Sequence, residues 1–173
     1  TSAALQLARD LGAPEGQAYA LWHRSEALSA LGRNAEAEDD AREALTVAGT
    51  VGHRGWTATA WRALGIALQE QQRLDEAAAA FGEFAQAAGE TLTLFASWAA
   101  ARCALVAVAL GRLDDAARSV DRALAVGPPL GHYEARLAEV ELAAARGDPS
   151  TADLAAAAAE RARTELHASI EPS

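Results

Sequence analysis

The chain of 173 residues has no methionine, a single cysteine and five prolines, and its aromatic content is 5%. Each shortage excludes something. One cysteine, Cys103, rules out an internal disulfide and fits a reducing compartment. With no methionine the chain carries no natural start, so it reads as a fragment of a larger protein. Lys and Arg number 15 against 24 Asp and Glu, a net charge of −9. The basic stripe of a nucleic-acid binder is therefore missing, and anionic membrane surfaces are disfavoured. The first ten residues lack the basic segment and apolar run of a signal peptide. The longest apolar-rich stretch, 96–110, is broken by Arg102 and is too short to span a bilayer. A cytoplasmic location is expected. Residues that favour strands are scarce, whereas Ala, Leu, Glu and Arg abound, so the expected fold is all-α. Hydrophobic residues make up 51%, enough to bury a core.

What is present is a repeat. Leu31-Gly32-Arg33-Asn34-Ala35-Glu36-Ala37 matches Gln71-Gln72-Arg73-Leu74-Asp75-Glu76-Ala77 and Leu110-Gly111-Arg112-Leu113-Asp114-Asp115-Ala116, with a weaker copy at Arg146-Gly147-Asp148-Pro149-Ser150-Thr151-Ala152. The first three arginines are 40 and 39 residues apart. Self-similarity at such a period marks a solenoid of stacked helix pairs. First helices are predicted at 15–31, 56–71, 91–110 and 131–146, and second helices at 35–47, 74–88, 113–126 and 151–169. Ala4-Leu5-Gln6-Leu7-Ala8 with Gly12 parallels Ala44-Leu45-Thr46-Val47-Ala48 with Gly52, so 2–11 reads as the second helix of a truncated repeat. The units are then 15–50, 54–89, 91–128 and a degenerate cap at 131–169. Gly32, Gly111 and Gly147 suit the tight turns, where a left-handed residue ends a helix. Acidic residues after each turn suit helix N-termini. Gly49-Thr50-Val51-Gly52 and Pro128-Pro129 punctuate the longer links. The 167–173 end is expected to fray.

Trp61, Leu64, Gly65 and Leu68 fall on one helical stripe, with Ala77 and Phe81 as the facing stripe. Gly65 and Ala77 permit close approach, and Trp61 and Phe81 are expected to fill the space around that contact. This outline resembles the tetratricopeptide repeat family, whose pattern runs Trp, Leu-Gly, a large residue, Ala, a large aromatic and Pro. Repeat two carries Trp61, Leu64, Gly65, Leu68, Ala77 and Phe81; repeat three keeps Ala116, Val120, Ala123 and Pro128. Repeat one has Arg24-Ser25 in place of Leu-Gly, and repeat four has Arg136 and Glu139 at normally apolar places. The spacing near forty resembles the longer-repeat branch found in bacterial multidomain signalling proteins and ATP-driven transcription activators. The resemblance implies a right-handed α-solenoid whose first helices line a concave groove.

By that resemblance the groove residues are Tyr19, Trp22, His23 and Glu26; Thr59, Arg62, Ile66 and Gln69; Trp98, Arg102 and Leu105; and, in the last unit, Glu134, Leu137 and Glu141. His23, Arg62 and Arg102, spaced by 39 and 40 residues, suggest a cationic ladder flanked by Trp22 and Trp98. Arg beside aromatics is enriched at binding hot spots, and such a ladder favours an acidic segment. The alternative is that these arginines pair with Glu26, Glu70 or Glu134 and the tryptophans are packing residues.

No catalytic, cofactor or metal site is expected. Cys103 sits mid-helix with no His nearby in sequence, His53 and His132 echo each other because the links do, and no His-x-x-His or Cys-x-x-Cys spacing exists. The acidic run 36–40 lacks the central glycine of a calcium loop, and no glycine-rich phosphate loop is present. The expectation is a non-catalytic scaffold that binds a protein or peptide partner, or another domain of its parent chain. Two alternatives stand beside it: a small-effector-sensing or autoinhibitory module of an ATP-driven activator, and homodimerisation through the exposed terminal helix.

Overall fold

The turn inside each of the four helix pairs is one local structure, and the α1–α2 link at Gly12 uses it as well. Gly12, Gly32, Gln72, Gly111 and Gly147 all have φ between +60° and +73°. At Gly32 the backbone N–H donates to the Ser29 carbonyl at 3.0 Å, and the next N–H, of Arg33, reaches back to Leu28 at 2.9 Å. Gln72–Gln69 with Arg73–Leu68, Gly111–Val108 with Arg112–Ala107, and Gly147–Ala144 with Asp148–Ala143 repeat these two bonds. This is the Schellman termination, in which orphan carbonyls are satisfied across a left-handed residue. Glycine takes that conformation without penalty; Gln72 takes it with a Cβ.

The computed structural model describes residues 2–89, 92–126 and 131–170, with side chains described except at 93, 94, 126 and 165–170. Thr91 as a helix start, the Pro128-Pro129 link and the end of the 167–173 segment lie outside the described residues. All the described elements are helical: α1 (Ser2–Asp10), α2 (Pro14–Ala30), α3 (Asn34–Val51), α4 (Arg54–Glu70), α5 (Leu74–Ala88), α6 (Thr93–Ala109), α7 (Leu113–Val126), α8 (His132–Arg146) and α9 (Thr151–Ile170). The largest departure from the sequence reading is at the end of α3, the other described ends agreeing within two residues. Gly49, Thr50 and Val51 continue α3, and only Gly52, with φ 70°, ends it. A lone glycine inside a helix is tolerated at a cost of about 1 kcal/mol, so Gly49 is not by itself a stop.

The chain divides into two units, Thr1–Thr93 and Leu94–Ser173. In the first, consecutive helices α1 to α5 pack in chain order, and α2 also packs on α4, as first helices do in a solenoid-like stack. In the second, α7 packs on α8 and α8 on α9. Its core joins Ala104 and Ala107 of α6, Ala116 and Val120 of α7, and Ala138 and Leu142 of α8.

The helix distance within a pair is set by two facing positions. One lies seven residues before the turn residue: Ser25, Gly65 and Ala104. The other is the eighth residue of the second helix: Ala41, Phe81 and Val120. Large meets absent, small meets small, and small meets medium. A Cβ on Gly65 would collide with Phe81, reaching Cδ1 at 2.6 Å and Cζ at 2.9 Å. Phe81 is wholly buried, as are Ala37, Ala77 and Ala116, each at the fourth residue of its second helix. Where repeat one departs from Leu-Gly, polar groups replace apolar ones in kind. Ser25 donates to the Ala37 carbonyl at 2.7 Å, and Arg24 holds Asp40 through two bonds of 2.5 Å. Trp61 is half-buried and is not a core residue. It faces a groove beside Thr57, Glu83 and Ala87, while Phe81 and Phe84 fill the interior.

Candidate interaction surface

The first helices of unit one carry four of the chain's nine Phe, Trp and Tyr residues: Tyr19, Trp22, Trp56 and Trp61. Tyr19 lies four residues before His23, one turn along the same face of α2, and Trp56 stands in the first turn of α4, which packs on α2. Tyr19 meets Trp22 edge-on at 5.9 Å between ring centres, His23 at 4.4 Å and Trp56 at 5.7 Å. Trp22 stacks on His23 at 3.5 Å, and His53 lies 5.2 Å from Trp56. His53 also caps α4, its Nδ1 accepting from the Trp56 backbone N–H at 3.2 Å. Tyr19 is 50% exposed, whereas Trp22 is only 9% exposed and its indole N–H has no partner among the described residues. The result is a continuous aromatic patch with an exposed phenol and a buried floor.

Below the rings the cluster turns ionic. Arg62, 5% exposed, pairs with Glu26 of the neighbouring first helix. Burial first, and then the Arg62 guanidinium, hold the His23 imidazole below its ordinary pKa, so His23 is neutral at pH 7. Thr59 is buried and turns its hydroxyl back on its own helix, donating to the carbonyls of Gly55 at 3.2 Å and Trp56 at 3.1 Å. Ile66 and Gln69 are half-buried on α4.

In unit two, Trp98 donates through Nε1 to Glu134 Oε1 at 2.6 Å, and Arg102 reaches the same oxygen at 3.4 Å. The carboxylate of α8 thereby ties down two side chains of α6. Gly131, with φ 81°, sits directly against the backbone of Trp98, leaving no room for a Cβ. Leu105 packs beside Ala104 and Ala107, and Leu137 is 48% exposed.

The cationic ladder therefore has a different form from the one the spacing suggests. His23 lies nine residues before Gly32 and Arg102 nine before Gly111, but Arg62 lies ten before Gln72. One residue turns a side chain by about 100° on a helix. Arg62 consequently occupies the place of Trp22, and both arginines hold carboxylates of their own chain. The tight turns, counted from the left-handed residue, supply the register that raw spacing lacks. The sequence reading also missed Trp56 and His53. Trp56 aligns with Gly16 of the preceding repeat, so comparison between repeats gave no aromatic signal there.

Cys103 is half-buried, and burial, slightly offset by Arg122, pushes its thiol above the ordinary value, so it stays protonated at neutral pH. Among the described residues, no group of three His, Cys, Asp or Glu is placed to hold a metal ion, and no helix is long and apolar enough to cross a membrane.

No protein-family model matches the chain, and no curated protein matches it. Among solved structures it is similar to BtubC (BKLC) from P. vanneervenii, with a TM-score of 0.68 over 92% of this chain and 68% of that one, at 16% sequence identity. At that identity the likeness speaks to the fold alone.

Proposed function

We propose that the chain is a non-catalytic protein-interaction module of tetratricopeptide-like build, taking a peptide or helix of a partner protein on the first-helix face of α2 and α4. The observation that carries this reading is the aromatic patch of Tyr19, Trp22, His23 and Trp56, with its half-exposed phenol over a buried indole. Tyr and Trp supply large, stiff contact area at little entropic cost, which is why they dominate binding hot spots. Because Arg62 is engaged by Glu26, this face recognises a partner chiefly through its rings, and acidity in the partner is secondary. The setting that the family resemblance implies, a bacterial multidomain regulator in the cytoplasm, belongs to the same proposal.

The test is site-specific crosslinking. A photoreactive phenylalanine at Tyr19 should trap a defined partner in cells of the source organism. Tyr19→Ala and Trp56→Ala should each abolish co-purification of that partner while circular dichroism stays unchanged. A partner retained by both variants would overturn this face as the site.

A further inference from the structure

The last helix pair is built to the same plan as the others but with the wrong sizes. Counted from the turn, Val140 stands where Ser25, Gly65 and Ala104 stand. Counted from the start of α9, Leu154 replaces the wholly buried alanines 37, 77 and 116, and Ala158 replaces Phe81. Two more residues follow Gly147 before α9 begins than follow the other turns, so Leu154, half-buried, and not the exposed Ala152 that the sequence match suggests, stands fourth in its helix as Ala37, Ala77 and Ala116 do. Bulk lies where closeness is needed, and an alanine methyl lies where an aromatic ring fills repeat two. No described side chain of α9 is fully buried. Between the helices runs a groove of about 360 Å³, lined by Tyr133, Leu137, Val140, Ala158 and Ala162, with Arg136, Arg161 and Glu134, the last held by Trp98 and Arg102, at its margin. Arg136 is paired with Glu139 at 2.9 Å and Arg163 with Glu160 at 2.6 Å, which leaves Arg161 without an ion pair among the described residues.

We infer that the α8–α9 groove is a second docking site, which receives an aromatic side chain flanked by carboxylates from a partner peptide. The aromatic ring restores what Ala158 omits, and a neighbouring carboxylate meets Arg161, a charge-assisted contact at the edge of an apolar trough. This inference rests on the interaction-module reading but uses a surface apart from the α2–α4 patch.

The whole 173-residue chain, isotopically labelled, is titrated with Ac-Ala-Glu-Phe-Glu-Ala-NH2 and followed by amide NMR shifts. The expected shifts are confined to α8 and α9. Ala158→Phe fills the trough from within, so it should raise the melting temperature and remove the shifts. Arg161→Glu, a surface change that leaves folding intact, should weaken the peptide about tenfold. Ac-Ala-Glu-Ala-Glu-Ala-NH2 and Ac-Ala-Lys-Phe-Lys-Ala-NH2 should both bind far more weakly. Shifts that persist in Ala158→Phe, equal binding of the lysine peptide, or a dimer in sedimentation that Ala158→Phe dissolves would each overturn the inference, the last in favour of a second copy of the chain as occupant. Tyr19→Ala should leave the peptide shifts untouched, which separates failure here from failure of the α2–α4 face.

Discussion

Adding one methyl group at Gly65 should destabilise the protein, and adding one at Gly82 should stabilise it. Both glycines lie inside helices, where alanine is ordinarily better by about 0.5–1 kcal/mol because it orders less backbone freedom. Nothing stands within 4 Å of a Cβ built on Gly82, so Gly82→Ala should gain that amount. A Cβ on Gly65 would lie 2.6 Å from Phe81 Cδ1 and 2.9 Å from Cζ. The Phe81 ring is 0% exposed and has nowhere to swing. Overpacking of this kind costs about 1–3 kcal/mol, so after the propensity gain Gly65→Ala should lose roughly 1–2 kcal/mol. The double variant Gly65→Ala with Phe81→Val transplants the Ala104–Val120 pair of repeat three. Phe81→Val alone leaves a void and should cost about 2–4 kcal/mol, somewhat less than a full truncation to alanine. The added methyl then has room, so the pair should couple favourably by about 1 kcal/mol or more. Urea unfolding followed by circular dichroism at 222 nm measures all four variants. Gly65→Ala as stabilising as Gly82→Ala, or a double variant whose losses simply add, would refute the view that these two positions set the helix distance.

The same transplant logic applies one position over: Arg24→Leu with Asp40→Ala installs the Leu64 and Ala80 pair of repeat two. Asp40→Ala alone strands a partly buried guanidinium and should cost about 3 kcal/mol, whereas the double change should be near neutral, as denaturation midpoints would report. Gln72→Gly relieves a left-handed non-glycine residue with φ 60° and should gain about 1 kcal/mol, visible as a raised urea midpoint. His23 has a lowered pKa in the folded state, so below pH 6.5 the unfolded chain takes up its proton first and stability falls as the pH drops. Melting temperatures between pH 7.5 and 5.5 should fall less steeply in His23→Gln than in the parent.

Most of the helical plan was legible because turns are local. The sequence Leu-Gly-Arg, with an acidic residue soon after, fixes a Schellman end through two backbone bonds that need no distant partner. Gln72 shows the limit of that reading. Its neighbours impose the same left-handed turn on a residue that would not signal it alone. The candidate surface was less legible, because a face is a matter of single residues. Arg62 sits one residue out of step with His23 and Arg102, and that displacement, which shows only when their spacing of 39 and 40 is set against the 40 and 39 of the turns, carries it onto Glu26. Trp61 reads as core by its family outline, yet Phe81 and Phe84 already fill the interior and leave it half-buried.

What recurs along this chain is a distance between helices, not a set of residues. Gly65 with Phe81, Ser25 with Ala41, and Ala104 with Val120 have no residue in common at either position, yet each pair allows an alanine about one turn away to be wholly buried. Close packing explains why such swaps are tolerated: a core accepts changes that keep volume and pattern. It also explains why Val140 with Ala158 cannot serve. Those residues place volume on the opposite side of the contact, Leu154 adds to it, and a trough runs between the two helices. By the same rule that closes three pairs, side-chain size at these three positions should leave the fourth open. Val140→Ala with Leu154→Ala and Ala158→Val should restore the repeat-three pattern. If size is the cause, protection of α9 amides from hydrogen exchange should rise toward that of α7; unchanged protection would show that the trough has another origin.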